Sequence, residues 1–243
     1  MNTLIYDNFY RMKRSLLLIG VIIAMMALPA IMLILEKVIH GDKATIDVIY
    51  IEGLLFMPMI FAVAAGHFIA HDYTNNTIRN KLIIGHTRVN IYLSNLIAMT
   101  AFLLVVFILN EIVALGAGAV VIGTKGLESD VVIKNLLFCV PMLVGVSSIT
   151  VFVSMTIKGS GGMVLNFMIQ YAFMAVGIFK NELPDYFKGI LGTVSDFIPS
   201  VHLMLLNPVQ LPENPVSKTV YAVIVTIATT VGGIEIFKRA DLK

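Results

Sequence analysis

The 243-residue chain has no tryptophan, a single cysteine and few charges, with only 13% of its residues Asp, Glu, Lys or Arg. Each scarcity excludes something. Soluble globular proteins carry about a quarter charged residues, so this chain is not built to be surrounded by water. The lone Cys139 excludes an intrachain disulfide and says nothing about redox compartment. No G-x-x-x-x-G-K-[ST] phosphate loop occurs. "GTKGLES" from Gly123 lacks both its spacing and its strand-then-helix setting, which excludes ATP hydrolysis by this chain alone. Short alternating apolar and polar segments are also missing, which excludes a transmembrane barrel.

What the sequence does have is apolar length. Hydrophobic residues make up 58% of it, and its mean hydropathy is +0.91. Six continuous apolar runs, at about 15–35, 53–70, 91–117, 133–157, 162–179 and 219–237, each approach or exceed the roughly 20 residues that cross a bilayer as a helix. They predict an all-α integral membrane protein with six transmembrane helices. The cluster Arg11, Lys13, Arg14 ahead of the first run resembles the start of a signal peptide. That run is longer than a signal core of about 7–15 residues and no small-residue cleavage site closes it, so it is expected to be retained.

Lys and Arg orient the spans. With the amino terminus inside, the inner segments hold 10 of them: Arg11, Lys13, Arg14, Arg79, Lys81, Arg88, Lys158, Lys238, Arg239 and Lys243. The outer segments hold 7: Lys37, Lys43, Lys125, Lys134, Lys180, Lys188 and Lys218. The excess places both termini in the cytoplasm by the positive-inside rule. "MNTLIYDNFYRMKRS" sets Leu4, Ile5, Tyr6, Phe9 and Tyr10 before its basic cluster, predicting an interfacial helix over about 1–14.

The connection between spans 2 and 3 is the least membrane-like part of the inner face. In "HDYTNNTIRNKLIIGHTRVNIYL", Asn75, Asn76 and Thr77 are N-cap candidates, Ile78, Leu82 and Ile83 share a helical face, and Gly85 offers a stop. A helix of about two turns over 75–85 follows. Arg79 and Lys81 point away from its apolar face, and Arg88 marks the return to the membrane. On spacing alone, this segment either lies on anionic lipid or presents its apolar face to a partner.

The extended stretch "HDYTNNTIRNKLIIGHTRVNIYLSNLI" resembles the cytoplasmic loop of type 2 permeases of ABC exporters. In that family an acidic residue, a Thr-Ile-Arg or Leu-Arg step, a glycine and a basic residue precede the third span. Asp72, Thr77, Ile78, Arg79, Gly85 and Arg88 are the matching positions, and the acidic position, commonly Glu in the family, is Asp72 here. The six-span outline, the amino-terminal helix and the basic ending "FKRADLK" extend the resemblance over the whole chain, as a single permease domain spanning 1–243. It implies that the loop is a coupling helix docking into a cleft of a separate ATPase. It adds Lys81, Leu82 and Ile83 to the expected contact, with Arg79 and Lys81 meeting acidic groups at its rim. The implied assembly has two ATPase subunits, which hold the ATP and Mg, and a second permease copy or paralogue. The implied cargo is hydrophobic or amphipathic, a peptide toxin, bacteriocin or antimicrobial peptide before lipid or ions. This chain holds no cofactor itself, and no nucleic acid is expected. Two other classes stay open: an ion-coupled secondary carrier, which should show related halves with broken spans, and a membrane immunity or scaffold protein.

Several polar residues inside the runs carry alternatives. His67 and His71, spaced i, i+4, can be a metal pair or a polar helix end, although "HFIAH" lacks the Glu of the zinc protease motif. Ser147 and Ser148 are read as packing residues. "GSGG", from Gly159 to Gly162, is read as a turn. Asn110 and Glu111 are site candidates for a cargo path or a subunit contact, because a charged carboxylate within a span costs at least about 2.5 kcal/mol at the bilayer centre. An ordinary outer-leaflet position is the alternative. Glu52 and Glu235 sit at span ends and are expected to be solvated. The 14 methionines are read as lipid-facing filler or an adaptable lining. Between spans 5 and 6, Phe187, Ile190, Leu191, Val194, Phe197 and Ile198 recur at helical spacing up to Pro199. Short outer helices over about 184–210 are expected there, and the resemblance implies that they are re-entrant.

Overall fold

In the computed structural model, residues 1–123, 127–179 and 185–240 are described. Lys125, Lys180 and Lys243, with the side chains of Glu52, Phe187 and Lys188, lie outside the described residues. Helices run α1 (Asn2–Arg14), α2 (Leu16–His40), α3 (Ile46–Thr74), α4 (Thr77–Ile83) and α5 (Arg88–Glu111). A π-helical segment, Ile112–Ala117, joins α5 to α6 (Gly118–Val121). Then come α7 (Ser129–Thr156), α8 (Ser160–Phe179), α9 (Asp185–Asp196), α10 (Pro199–Met204) and α11 (Pro215–Arg239). Six stretches are long and apolar enough to cross a membrane: Leu16–His40, Gly53–Thr74, Arg88–Val121, Ser129–Thr156, Ser160–Phe179 and Pro215–Arg239. The protein is an all-α, multi-pass membrane protein.

Apolar sequence makes the spans, but packing ranks them. Spans 2 and 4 are 72% and 61% buried within the subunit, against 22%, 22% and 17% for spans 1, 5 and 6. Spans 2, 3 and 4 therefore form the centre. Apolar side chains gain little by leaving lipid for protein, so close approach at small residues and interhelical hydrogen bonds hold such bundles. A Cβ on Gly66 would lie 2.8 Å from the Met163 backbone, so the bare glycine is what lets span 2 come this close to span 5 there. Thr100 donates to the Ser147 hydroxyl at 2.8 Å, and Thr229 donates to that of Ser148 at 2.9 Å. The serine pair thus ties span 4 to spans 3 and 6, as a packing role requires.

Some expectations shift. Span 1 continues past Leu35 to His40, where Glu36 pairs with His40 at 3.1 Å and accepts from the Thr45 N–H. Met12, Met25, Met57, Met99, Met142 and Met155 are buried in the core instead of facing lipid or lining a path. Their unbranched, flexible side chains fill gaps between the packed helices. The outer connection forms α9 and α10, broken where Pro199 takes the first turn of α10. Gly159 (φ +77) makes the turn between α7 and α8. Glu235 is exposed beside Lys238 at 2.6 Å.

Candidate functional site

The loop between spans 2 and 3 is built by its capping residues. Asn76 adopts the left-handed conformation (φ 55), which asparagine tolerates better than most residues, and turns the chain from α3 into α4. At the other end Gly85 (φ +101) donates to Leu82 O at 3.0 Å while His86 donates to Lys81 O at 3.1 Å. That pair of bonds is a Schellman stop, and it requires the positive φ that glycine adopts at no steric cost. Thr87 then caps α5, accepting from the Asn90 N–H at 3.2 Å. These turns fix the limits of the seven-residue helix.

The inner face of α4 is locked to the bundle by charge. Asp72, completely buried on the last turn of α3, accepts a hydrogen bond from Arg11 of α1 and lies 3.8 Å from the Lys81 ammonium. Lys81 also lies 3.3 Å from Asp7 and donates to Asn8 Oδ1 at 3.1 Å. Asn8 in turn donates to Asn95 Oδ1 on α5 at 2.9 Å. Two cations and two carboxylates balance, and the two that are buried, Asp72 and Lys81, each face an opposite charge. Arg11 further stacks over the Phe68 ring at 4.6 Å. Four elements, α1, α3, α4 and α5, meet in this network.

The predicted contact residues are therefore divided. Ile78 is only 2% exposed and Leu82 is half-buried, both packed on the subunit's own core. Lys81, expected at a rim, is 7% exposed and faces inward. The reason is Asp7 and Asn8, which lie far away in sequence and draw its ammonium under the helix. Arg79 is exposed, as are Ile83 at 74% and its neighbour Ile84 at 77%. Thr77 is half-buried and Gly85 exposed. Arg88 donates to Phe237 O (2.8 Å), Lys238 O (2.9 Å) and Ala240 O (2.6 Å), capping the end of span 6. Its guanidinium satisfies carbonyls that the ended helix leaves without partners.

Sequence reasoning missed Asp7, Asn8 and Asn95. One signal was available: Leu4, Asn8 and Met12 recur at i, i+4, and all three are buried. A polar residue in that stripe asks for a polar partner.

His67 and His71 are exposed with ring centroids 6.5 Å apart, and His71 shares a hydrogen bond with Asn75. No His, Cys, Asp and Glu cluster suited to a metal occurs among the described residues. At the opposite end of span 3, Asn110 donates to Met25 O at 2.8 Å and packs on Gly53, where a Cβ would lie 2.6 Å from its Oδ1. Asn110 is a tie between spans 1, 2 and 3. Glu111 beside it is 6% exposed and has no hydrogen-bond partner on either carboxylate oxygen.

Six apolar helices long enough to cross a bilayer, with the short helix α4 between the second and third, define a multi-pass membrane protein. The family model described as ABC-2 family transporter protein matches residues 4–177, more than half of the chain, and the chain belongs to that family. It is the membrane subunit of an ABC transporter, and the ATPase of this family is a separate subunit. No curated protein matches the sequence.

Proposed function

We propose that this permease moves a hydrophobic or amphipathic cargo, first of all a peptide of the toxin, bacteriocin or antimicrobial kind, out of the cell. It would act with two ATPase chains, which hold ATP and Mg, and a second permease copy or paralogue in the plasma membrane. Both termini and α4 lie on the cytoplasmic side in this reading, supported by the Lys and Arg distribution.

The observation that carries the reading is the two-sided character of α4. One side is locked to α1, α3 and α5 through Lys81 and Asp72, while Ile83 and Ile84 stand out to solvent beside Arg79. Two adjacent exposed isoleucines on a polar tip outside the spans suit a groove in a partner. A push on that tip would reach spans 2 and 3 through the buried network that ties α4 to α1, α3 and α5. ATP-driven movement of the ATPase pair is thus passed to the spans.

Ile83→Asp should separate the permease from its co-expressed ATPase and abolish stimulated ATP hydrolysis while membrane insertion persists. Loss of one buried apolar anchor at a hot spot typically costs about 2 kcal/mol or more. Arg79→Ala should lower only the association rate and its salt dependence, as rim charges do. Co-purification of Ile83→Asp with its ATPase at the parental level would sink the coupling reading. In that outcome, weaker binding of Arg79→Ala to anionic vesicles would assign α4 to the lipid surface.

A further inference from the structure

A cavity of about 460 Å³ lies at the α4 end of the bundle, where α1, the start of span 1 and the end of span 2 converge. Its polar lining is Tyr10, Arg11, Arg14, Ser15, His67 and His71, and no lining residue is acidic. Asp72, which follows His71, is already met by Arg11 and Lys81. Arg14 is exposed, with its guanidinium 4.3 Å over the Tyr10 ring, and has no carboxylate partner among the described residues. Ser15 caps span 1 by accepting from the Leu18 N–H at 3.4 Å and keeps its O–H to donate. His67 and His71 are exposed one turn apart on span 2, and an imidazole offers an N–H in either protonation state. Donors and positive charge gather here without a carboxylate, which suits an anion.

A second cavity, of about 360 Å³, continues from the first at Leu17, which lines both. Its walls are apolar, with Val21 of span 1, Phe56, Ile60 and Val63 of span 2, and Phe167 of span 5. From His67 down to Phe56, span 2 descends about 16 Å at about 1.5 Å per residue. That is half of the roughly 30 Å hydrocarbon core, the depth of one leaflet. A soluble anion would use the first cavity and leave the second bare. A phospholipid fills both, because its phosphate and its acyl chain follow one another at this same depth.

We propose that the two cavities together bind one anionic phospholipid, with its phosphate against Arg14, Ser15 and the histidine pair and an acyl chain along Leu17, Val63 and Phe56. Such a lipid braces α1 against span 2, the packing that brings Asp7 and Asn8 to Lys81. Only the choice of leaflet, the cytoplasmic one, rests on the orientation proposed above. Binding is measured on the permease without its ATPase, so the result does not depend on whether α4 docks.

The test titrates the full chain in detergent with dioleoyl phosphatidylglycerol and dioleoyl phosphatidylcholine, which share their chains and differ in charge, and counts bound lipid by native mass spectrometry. The parent should hold phosphatidylglycerol in preference to phosphatidylcholine and unfold at a higher temperature with it. Arg14→Gln should weaken phosphatidylglycerol binding about tenfold, the scale of one charge-assisted contact, and leave phosphatidylcholine unchanged. Val63→Trp, which fills the groove and keeps every charge, should weaken it as well. Lys13→Gln removes the same charge from the same helix outside the cavity and should bind as the parent does. Thermal unfolding without lipid checks that each variant is folded. Parental affinity in Arg14→Gln would overturn the proposal, and so would an equal loss in Lys13→Gln, which would mean general attraction to the basic cluster. Parental affinity in Val63→Trp would remove the acyl chain from the groove, and glycerol phosphate binding as tightly as the lipid would then make the cavity a site for soluble anions. If the parent binds neither lipid and Arg14→Gln changes only self-association, the face belongs to a second copy of the chain and the proposal fails.

Discussion

Asp72 and Glu111 are both buried carboxylates in membrane-spanning helices, at opposite ends of the subunit, and the chain treats them in opposite ways. Asp72 is met by Arg11 and Lys81, with Asp7, Asn8 and Asn95 completing the network. Glu111 is met by nothing but apolar walls. Where a protein supplies the counter-charge itself, the buried group becomes a fastener, holding elements that local sequence cannot hold. Where it does not, the cost of burial stays uncompensated, and functional sites are where such costs persist.

The contrast can be broken most forcefully at its compensated end. Asp72→Ala leaves Arg11 without its acceptor and Lys81 with the half-exposed Asp7 as its counter-charge beside the neutral Asn8, and removing one partner of a buried ion network costs about 3–5 kcal/mol. The expected outcome is a large fall in the unfolding temperature of the detergent-solubilised permease, with α1 becoming open to proteolysis. A change no larger than that of a surface substitution would mean that the network is not the fastener.

At the uncompensated end the sign reverses. Glu111→Leu removes a polar group that has no partner, and should stabilise the protein by about 1–3 kcal/mol, the usual cost of an unsatisfied buried group. Thermal unfolding of the two variants in parallel measures the comparison directly. A destabilised Glu111→Leu would show that the carboxylate has a partner in the bilayer.

A smaller effect is expected from Arg88→Gln. It strips three carbonyl contacts from the end of span 6, and should cost about 1–2 kcal/mol. The loss should be local, read as faster amide hydrogen exchange near the end of span 6, while Asp72 and Glu111 stay as they were. Smallest of all in stability is Ile83→Asp, within about 0.5 kcal/mol because the side chain is exposed. A variant that keeps its stability and loses its ATPase separates the docking face of α4 from its locked face.

The two faces of α4 also show where sequence reading stops. Its end at Gly85 was legible because the glycine of a Schellman stop lies within a few residues of the bonds it shapes; its start was narrowed only to Asn75, Asn76 or Thr77, and Asn76 takes it through a left-handed turn without a side-chain cap bond. The side from which Lys81 would be met was not legible, since Asp7 and Asn8 reach it through the packing of α1. The long third run read as one helix, yet it changes to π-helical winding after Glu111, which a continuously apolar pattern does not record. Asn110 and Glu111 looked alike as adjacent polar residues and proved different: Asn110 meets the Met25 carbonyl of span 1, while Glu111 finds no hydrogen-bond partner.

The sequence by itself determined that six segments enter the membrane and that a short capped helix interrupts them, because hydropathy, length and capping act within a window of about 20 residues. The tertiary structure alone decided which of the buried charges are partnered. Counter-charges such as Asp7 and Lys81 are joined only when separate helices pack. The same packing brings no partner to Glu111, and that outcome depends on the distance between side chains in space and not on their order along the chain.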